Sequence, residues 1–197
     1  MENTKFDITS TAIEKGIDLI AGFIEKLAGS SLEEAGLLLS DKIRTRRLRN
    51  QIKIFSDAKR IAEENNLSIK HINLKTLIPL LEFSSLEEDE TLQKKWSNLI
   101  VKFSDANQHY ESSIFPFILN QLSASEAIEL DRIQLKKGIR STSFRISEIQ
   151  ISNLKRLGLI DRIINEGFMF SEEENSPVYY SVTEIGIQFI NCCSSIK

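Results

Sequence analysis

Glycine and proline are scarce in this 197-residue chain, at eight and three positions, and there are only two cysteines, two histidines and one tryptophan. So few breakers leave long stretches free to be helical, with Leu, Ile and Phe supplying most of the apolar content. Cys192 and Cys193 are adjacent, which suits neither a bridge between them nor a metal site of their own; they fit a reducing cytoplasm. His71 and His109 fall in separate connections without Cys, His or carboxylate partners at ligand spacing, so no metal site is expected. No glycine-rich phosphate loop, dinucleotide fingerprint or nucleophile elbow is present; no cofactor is expected, and the common nucleotide-binding and hydrolase chemistries drop out. Charge is nearly balanced, 25 basic against 28 acidic residues, so the total advertises no polyanion partner. Long hydrophobic runs are also missing. Met1 to Ser10 is too polar for a signal peptide. The most apolar stretch, Ala12 to Ala28, is interrupted by Glu14, Lys15, Asp18, Glu25 and Lys26, so no transmembrane segment is expected.

What is present is helical periodicity. Ile13, Ile17, Ile20, Ile24 and Leu27 form one apolar stripe, which predicts an amphipathic helix packed on a core, with a membrane surface or partner groove as the alternative. Gly29-Ser30-Ser31 stops it, and Leu32 opens a pattern that runs without Gly or Pro from Leu37 to about Asn65, the longest helix. Ala35, Leu38, Leu39 and Ile43 begin its buried side, and Ile52, Phe55, Ala58 and Ile61 continue it. Between them lies the one dense basic patch: Lys42 followed by Arg44, Arg46, Arg47, Arg49 and Lys53. A solvated face, or pairing with the acids Glu87 to Glu90, accounts for it without function. Contact with phosphate or with a partner is the functional reading, which makes Arg44, Arg46, Arg47, Arg49 and Lys53 the candidate interaction patch.

From Leu74 to Ser104 the sequence predicts two helices joined at a corner, with Ser85 and Glu88 as a capping box and Trp96 packing the second helix. Glu87 to Glu90 is the only dense carboxylate set that a metal-dependent enzyme could use, and helix capping explains it; no catalytic residue is expected. Asp105, His109 and Glu111 read as a solvated loop. Ile114 to Leu122 is a short helix with Pro116 in its first turn. Ser123 and Glu126 cap another from Ala127 to about Lys136; Lys137 to Ser143 is a loop, and Ser147 to Leu157 a further helix.

Helix, Gly158, a strand from Leu159-Ile160, the acidic turn Glu172-Glu173-Glu174, a returning strand Val178 to Val182 and a helix opened by Thr183 and closed on the core by Ile185 and Phe189 resemble a winged helix. That fold suggests DNA contacts at Lys136, Lys137, Arg140, Arg145, Lys155 and Arg156. Three acids at the wing tip, and nine basic against ten acidic residues from Leu122 onward, disfavour them. The expected fold is mostly α: a multi-helix domain over 1–121 with one long helix, then a winged-helix-like module over 122–197 with a small β-hairpin.

Leu32-Glu33-Glu34-Ala35-Gly36, Leu39-Ser40-Asp41-Lys42-Ile43-Arg44, Arg49 to Lys53, Leu77 to Glu82 and Ser85 to Leu99 with Trp96 at its centre are similar to the signature of the abortive-infection alpha family. The resemblance implies a prokaryotic role in phage defence, in which an infected cell arrests or dies before phage matures; the cysteine usage and the lack of a targeting segment place it in the cytoplasm. It carries over no catalytic residue. The leading expectation is a non-enzymatic bacterial interaction protein whose partner is a host, phage or second copy of the same protein; self-association is left open and nucleic acid is the less favoured partner. A DNA-binding transcriptional regulator is the alternative.

Overall fold

Residues 10–29, 45–108, 110–134, 136, 139–163 and 178–195 are described by the computed structural model, as backbone alone at 10–14, 17, 45 and 46. The helical segment expected from Leu32 to Arg44, His109, Lys137 and the acidic turn Glu172 to Glu174 lie outside these residues. The described residues form eight α-helices and one small antiparallel sheet. They divide into two compact units, Met1–Asn120 with Ser195–Lys197, and Gln121–Ser194.

In the first unit, α1 spans Ser10–Ala28, α2 Thr45–Glu64, α3 Leu74–Ser84, α4 Glu90–Ser104 and α5 Phe115–Leu119. The stripe expected on α1 is core: Ile20, Ile24 and Leu27 are buried, joined by Phe23. They pack on α2, whose Ile54, Phe55, Ala58 and Ala62 are buried while Ile52 and Ile61 lie at the margin. α4 packs along α2 with Trp96, Leu99 and Phe103 fully buried, and the Ser97 hydroxyl donates to the Ile54 carbonyl at 3.0 Å. Removing this much apolar surface from water is the main drive for the unit.

The ends of these helices are closed by identifiable groups. Asn66 takes a left-handed φ of 52°, with Leu67 N–H bonded to Ala62 O and Asn66 N–H to Glu63 O, so Asn65-Asn66 ends α2 in a Schellman turn. Gly29 ends α1 at φ 57°, and a side chain there would meet the His71 ring at 2.6 Å. Ile72 N–H then donates to the Leu27 carbonyl at 3.0 Å. The connection between α2 and α3 therefore seals the end of α1, which gives exposed His71 a packing role.

The same connection pairs with the end of α4: Ile69 bridges Asp105, Lys70 N–H donates to Ser104 O, and Ala106 N–H to Ser68 O. Asp105 is accordingly buried, with its carboxylate accepting from Asn107 N–H at 2.9 Å. Glu111 accepts from Asn73 N–H, just ahead of α3. These acids were expected in a solvated loop; pairing with residues about 36 positions away turns Asp105 inward and makes both structural.

In the second unit α6 spans Ala124–Ile133, β1 Ile139–Arg140, α7 Glu148–Arg156, β2 Ile160–Arg162, β3 Tyr179–Val182 and α8 Glu184–Cys193. The Ser123–Glu126 capping box is present, and Ser147 forms a second one with Gln150. Gly158 stops α7 at φ 72°, and Thr183 caps α8. The sheet has the order β1-β3-β2, with Ile139 opposite Tyr180 and Ile160 opposite Val182. A loop was expected from Lys137 to Ser143 and a two-stranded hairpin beyond it; instead Ile139 and Arg140 add a third strand, followed by a 3-10 turn at Ser141–Ser143. Ile139, Leu154, Leu159, Ile160, Phe189 and Ile190 are buried.

Gly186 marks the tightest approach in this unit, since a side chain there would lie 2.2 Å from the Leu159 carbonyl oxygen. That oxygen already accepts from Thr183 N–H at 3.0 Å and cannot withdraw without losing the bond. Gly186→Ala should cost roughly 1–3 kcal/mol through overpacking. Amide hydrogen exchange should then accelerate in β2 and α8 while α2 and α4 keep their protection; unchanged exchange in β2 and α8 refutes the close-packing account.

Candidate interaction surfaces

The basic stripe of α2 faces the corner between α3 and α4. An α-helix leaves its last four carbonyls without intrahelical donors, and all four at the end of α3 find one. Gln51 Nε2 donates to Leu81 O at 2.9 Å, the Ser85 hydroxyl to Glu82 O, Leu86 N–H to Phe83 O and Glu87 N–H to Ser84 O. Arg47 Nε donates to Ser85 Oγ at 3.0 Å, and Asn50 Nδ2 to the Ser85 carbonyl at the same distance. A guanidinium beside the negative end of a helix is also favoured by the helix dipole. Lys53 closes the other side of the corner, 3.0 Å from Glu90 at the start of α4. It holds the Glu90 carboxyl below its ordinary value, chiefly through that hydrogen bond.

The cap of α4 is Asp89. Its carboxylate accepts from Thr91 N–H at 2.8 Å and Leu92 N–H at 3.1 Å, and its own N–H donates to Glu87. This corrects the expected Ser85–Glu88 box. Ser85 is the C-cap of α3, and its hydroxyl is taken by Glu82 O and Arg47. Within the candidate patch, Arg47 and Lys53 are thus bonded inside the unit, Arg49 Nε is buried without a hydrogen-bond partner, Arg46 belongs to α2 with its side chain not described, and Arg44 lies outside the described residues. Asn50 and Gln51, which bond the same corner as Arg47, carry no charge and gave no signal in a charge pattern.

The candidate DNA contacts are spread over several elements of the second unit. Arg140 on β1 lies over the Tyr179 ring, 5.9 Å from its centroid, and reaches Tyr179 Oη at 3.4 Å. Arg156 at the end of α7 bonds Gln121 Oε1 at 2.9 Å and Asn153 Oδ1 at 2.7 Å. Lys136, Arg145 and Lys155 are exposed. The Arg145 N–H donates to Glu129 at 3.0 Å.

Glu129 is buried and joins three segments. It pairs with Arg132 within α6 and accepts from Arg145, while Arg132 also donates to Ser143 O at 3.0 Å. The Arg132 hydrogen bond is the largest influence on its carboxyl, and together with the Arg145 N–H it outweighs burial and lowers the pKa. Glu126, one turn earlier and also buried, accepts from Ser123 N–H at 2.7 Å and Asn153 Nδ2 at 2.8 Å, tying α6 to α7. Among the described residues, no group of three or more His, Cys, Asp or Glu side chains could hold a metal ion, and no helix is long and apolar enough to cross a membrane.

The family model described as abortive infection alpha matches residues 40–146, more than half of the chain and including α2 through α6. The chain belongs to the abortive infection alpha family. No curated protein and no solved structure matches it.

Two measurements test this geometry. Asp89→Ala should destabilise the first unit by about 1 kcal/mol, the usual cost of losing an N-cap, read as a lower denaturation midpoint in Trp96 fluorescence; an unchanged midpoint removes Asp89 as the cap. The sign for Glu129 follows from its lowered folded pKa: the stability it adds is fully present above the unfolded carboxylate value of about 4.3 and is lost as pH falls through the folded one. Glu129→Gln should therefore lower stability near neutral pH and flatten the acid limb of the second unit's stability profile. A profile identical to the parent protein's contradicts this assignment.

Proposed function

We propose that this protein is a non-enzymatic bacterial interaction protein of the cytoplasm that acts in phage defence by abortive infection. The observation that carries the reading is the family match over residues 40–146. The site chemistry agrees with it: Arg47 and Lys53 of α2 are spent on holding a corner, and the buried acids Glu126 and Glu129 on joining segments of the second unit. We read the second unit as a winged-helix module serving protein contact. Support comes from the order α6, β1, 3-10 turn, α7, β2, β3, α8 and from a sheet in which the last strand lies between the first two. A host or phage protein, or a second copy of this chain, is the partner this reading favours. DNA recognition has less support, because Arg156 is engaged by Gln121 and Asn153, and Arg140 by Tyr179.

Bacteria carrying the gene should show fewer plaques or earlier death of infected cells than bacteria without it, across a broad phage panel. Equal plaque counts and equal survival throughout the panel would sink the proposal. A salt-sensitive, sequence-selective gel shift with genomic fragments would move the second unit to the DNA reading.

A further inference from the structure

Ser112 to Ser125 is the longest run of the sequence without a charged residue, and it leaves large apolar side chains in the open. Ile114, the N-cap of α5, is 51% exposed, and Phe117 within the helix is 47% exposed. Three residues apart, they lie on one side of the turn. The Phe117 ring meets the partly buried Phe83 of α3 edge to face, with centroids 5.1 Å apart. Exposed Tyr110 lies against the Phe115 ring at 5.7 Å. The uncovered parts of Tyr110, Ile114 and Phe117 amount to on the order of 300 Å², a size at which an exposed apolar patch is often functional.

Electrostatics indicates what covers it. A two-fold pairing sets each residue near the axis against its own copy, so a formal charge there meets the same charge and is repelled. The run from Ser112 to Ser125 holds no such charge. Glu111, just ahead of it, is turned to the start of α3, where it accepts from Asn73 N–H at 3.2 Å. Glu82 and Lys75, about a quarter turn round α3 from Phe83, supply one charge of each sign. Other exposed apolar side chains are placed less suitably. Leu19 follows Asp18, Leu86 precedes Glu87 to Glu90, and Ile149 follows Glu148. Ile185 and Ile187 of α8, two residues apart, face different sides of their helix. A different protein selected by charge would find nothing to complement on the α5 face, whereas a second copy needs nothing there but a matching apolar surface.

We propose that this face of the first unit is where two copies of the chain pair about a two-fold axis, with Ile114 and Phe117 of each copy packed on those of the other. The pairing goes beyond the defence role and does not rest on it. An apolar centre this small belongs with weak interfaces, so sedimentation velocity of the full chain should show monomers passing into dimers over the micromolar range. Phe117→Glu and Ile114→Glu should each weaken that association by about tenfold or more, while Trp96 fluorescence keeps the parent chain's folded spectrum. Ile114, half exposed at the N-cap of α5, decides the matter if Phe117→Glu does not fold. An equimolar mixture of Ile114→Glu and Ile114→Lys chains should associate at least about tenfold more tightly than either variant alone, because so small a two-fold contact brings the two copies of each position within charge range. The proposal is overturned by a parent chain that stays monomeric, even where Ile114→Glu costs phage protection and so assigns the face to another protein. It is equally overturned by Glu variants that associate like the parent chain, or by a mixture no tighter than its components.

Discussion

The carbonyls at the C-terminal end of α3 must be satisfied inside the protein, because the corner that follows them is partly buried: Ser84 and Ser85 are almost inaccessible. Two backbone N–H groups and one hydroxyl of the corner serve three of them, and Gln51 of α2 serves the fourth. Arg47 and Asn50 lie on the same face as Gln51 by the three- and four-residue spacing of a helix, and both bond Ser85. Contact at Ser85 and Glu90 near one end of α2, and at Ile69, Ser104 and Asp105 near the other, makes α2 and α4 run parallel, with α3, which links them in sequence, running back the opposite way. The Trp96 core follows from that arrangement.

Features written into a few consecutive residues could be read before folding. Ser123 with Glu126, Thr183 ahead of α8, Asn65-Asn66 after α2 and Gly158 after α7 each act through their own neighbours, and each is found in its expected role. Ser85 with Glu88 has the same spacing and fails for a local reason. α3 extends to Ser84 and takes Ser85 as its own cap, so the next helix can begin only beyond the turn, where Asp89 has the oxygen in place. A spacing rule identifies a competent cap; it does not say where the preceding helix releases the chain.

Other features depended on distant partners. β1 is two residues long and exists because Tyr179 and Tyr180 pair with it from about 40 residues away. Asp105 is drawn inside by Ile69, and His71 is placed by Gly29. Lys53 with Glu90, and Arg60 with Asp57 and Glu64, were conspicuous in sequence as charges and turn out to pair with one another, whereas the buried unsatisfied atoms belong to Ser56 and Gln93, residue types common on any solvated helix. The basic patch was visible as a composition anomaly, and the pairing of Lys53 with Glu90 is among those its neighbouring acids led one to expect; the hold of Arg47 on the Ser85 hydroxyl was not legible, because a hydroxyl carries no charge.

The second unit shows why counting charges along a chain misjudges a surface. Nine basic and ten acidic residues from Leu122 onward suggest a neutral module, yet Glu126 and Glu129 are buried. Their charges are spent on Ser123, Asn153, Arg132 and the Arg145 N–H, where they fix α7 and the turn after β1 against α6. Among the described residues of this unit, the exposed side chains then include Lys136, Arg140, Arg145, Lys155, Arg156 and Arg162 against Glu148, Asp161 and Glu184. Burial of Glu126 and Glu129 takes two of the ten carboxylates out of the field that a partner meets at this surface. What tempers it as a phosphate-binding face is geometry: the guanidinium donors of Arg156 are turned toward Gln121 and Asn153, and Arg140 is laid over Tyr179. Among the described residues, Lys136, Arg145, Lys155, Arg162 and the 82% exposed Ile149 of α7 are open to a partner without displacing those contacts. That mixture of scattered charge and exposed apolar surface supports the proposed protein contact over recognition of a regular array of phosphates.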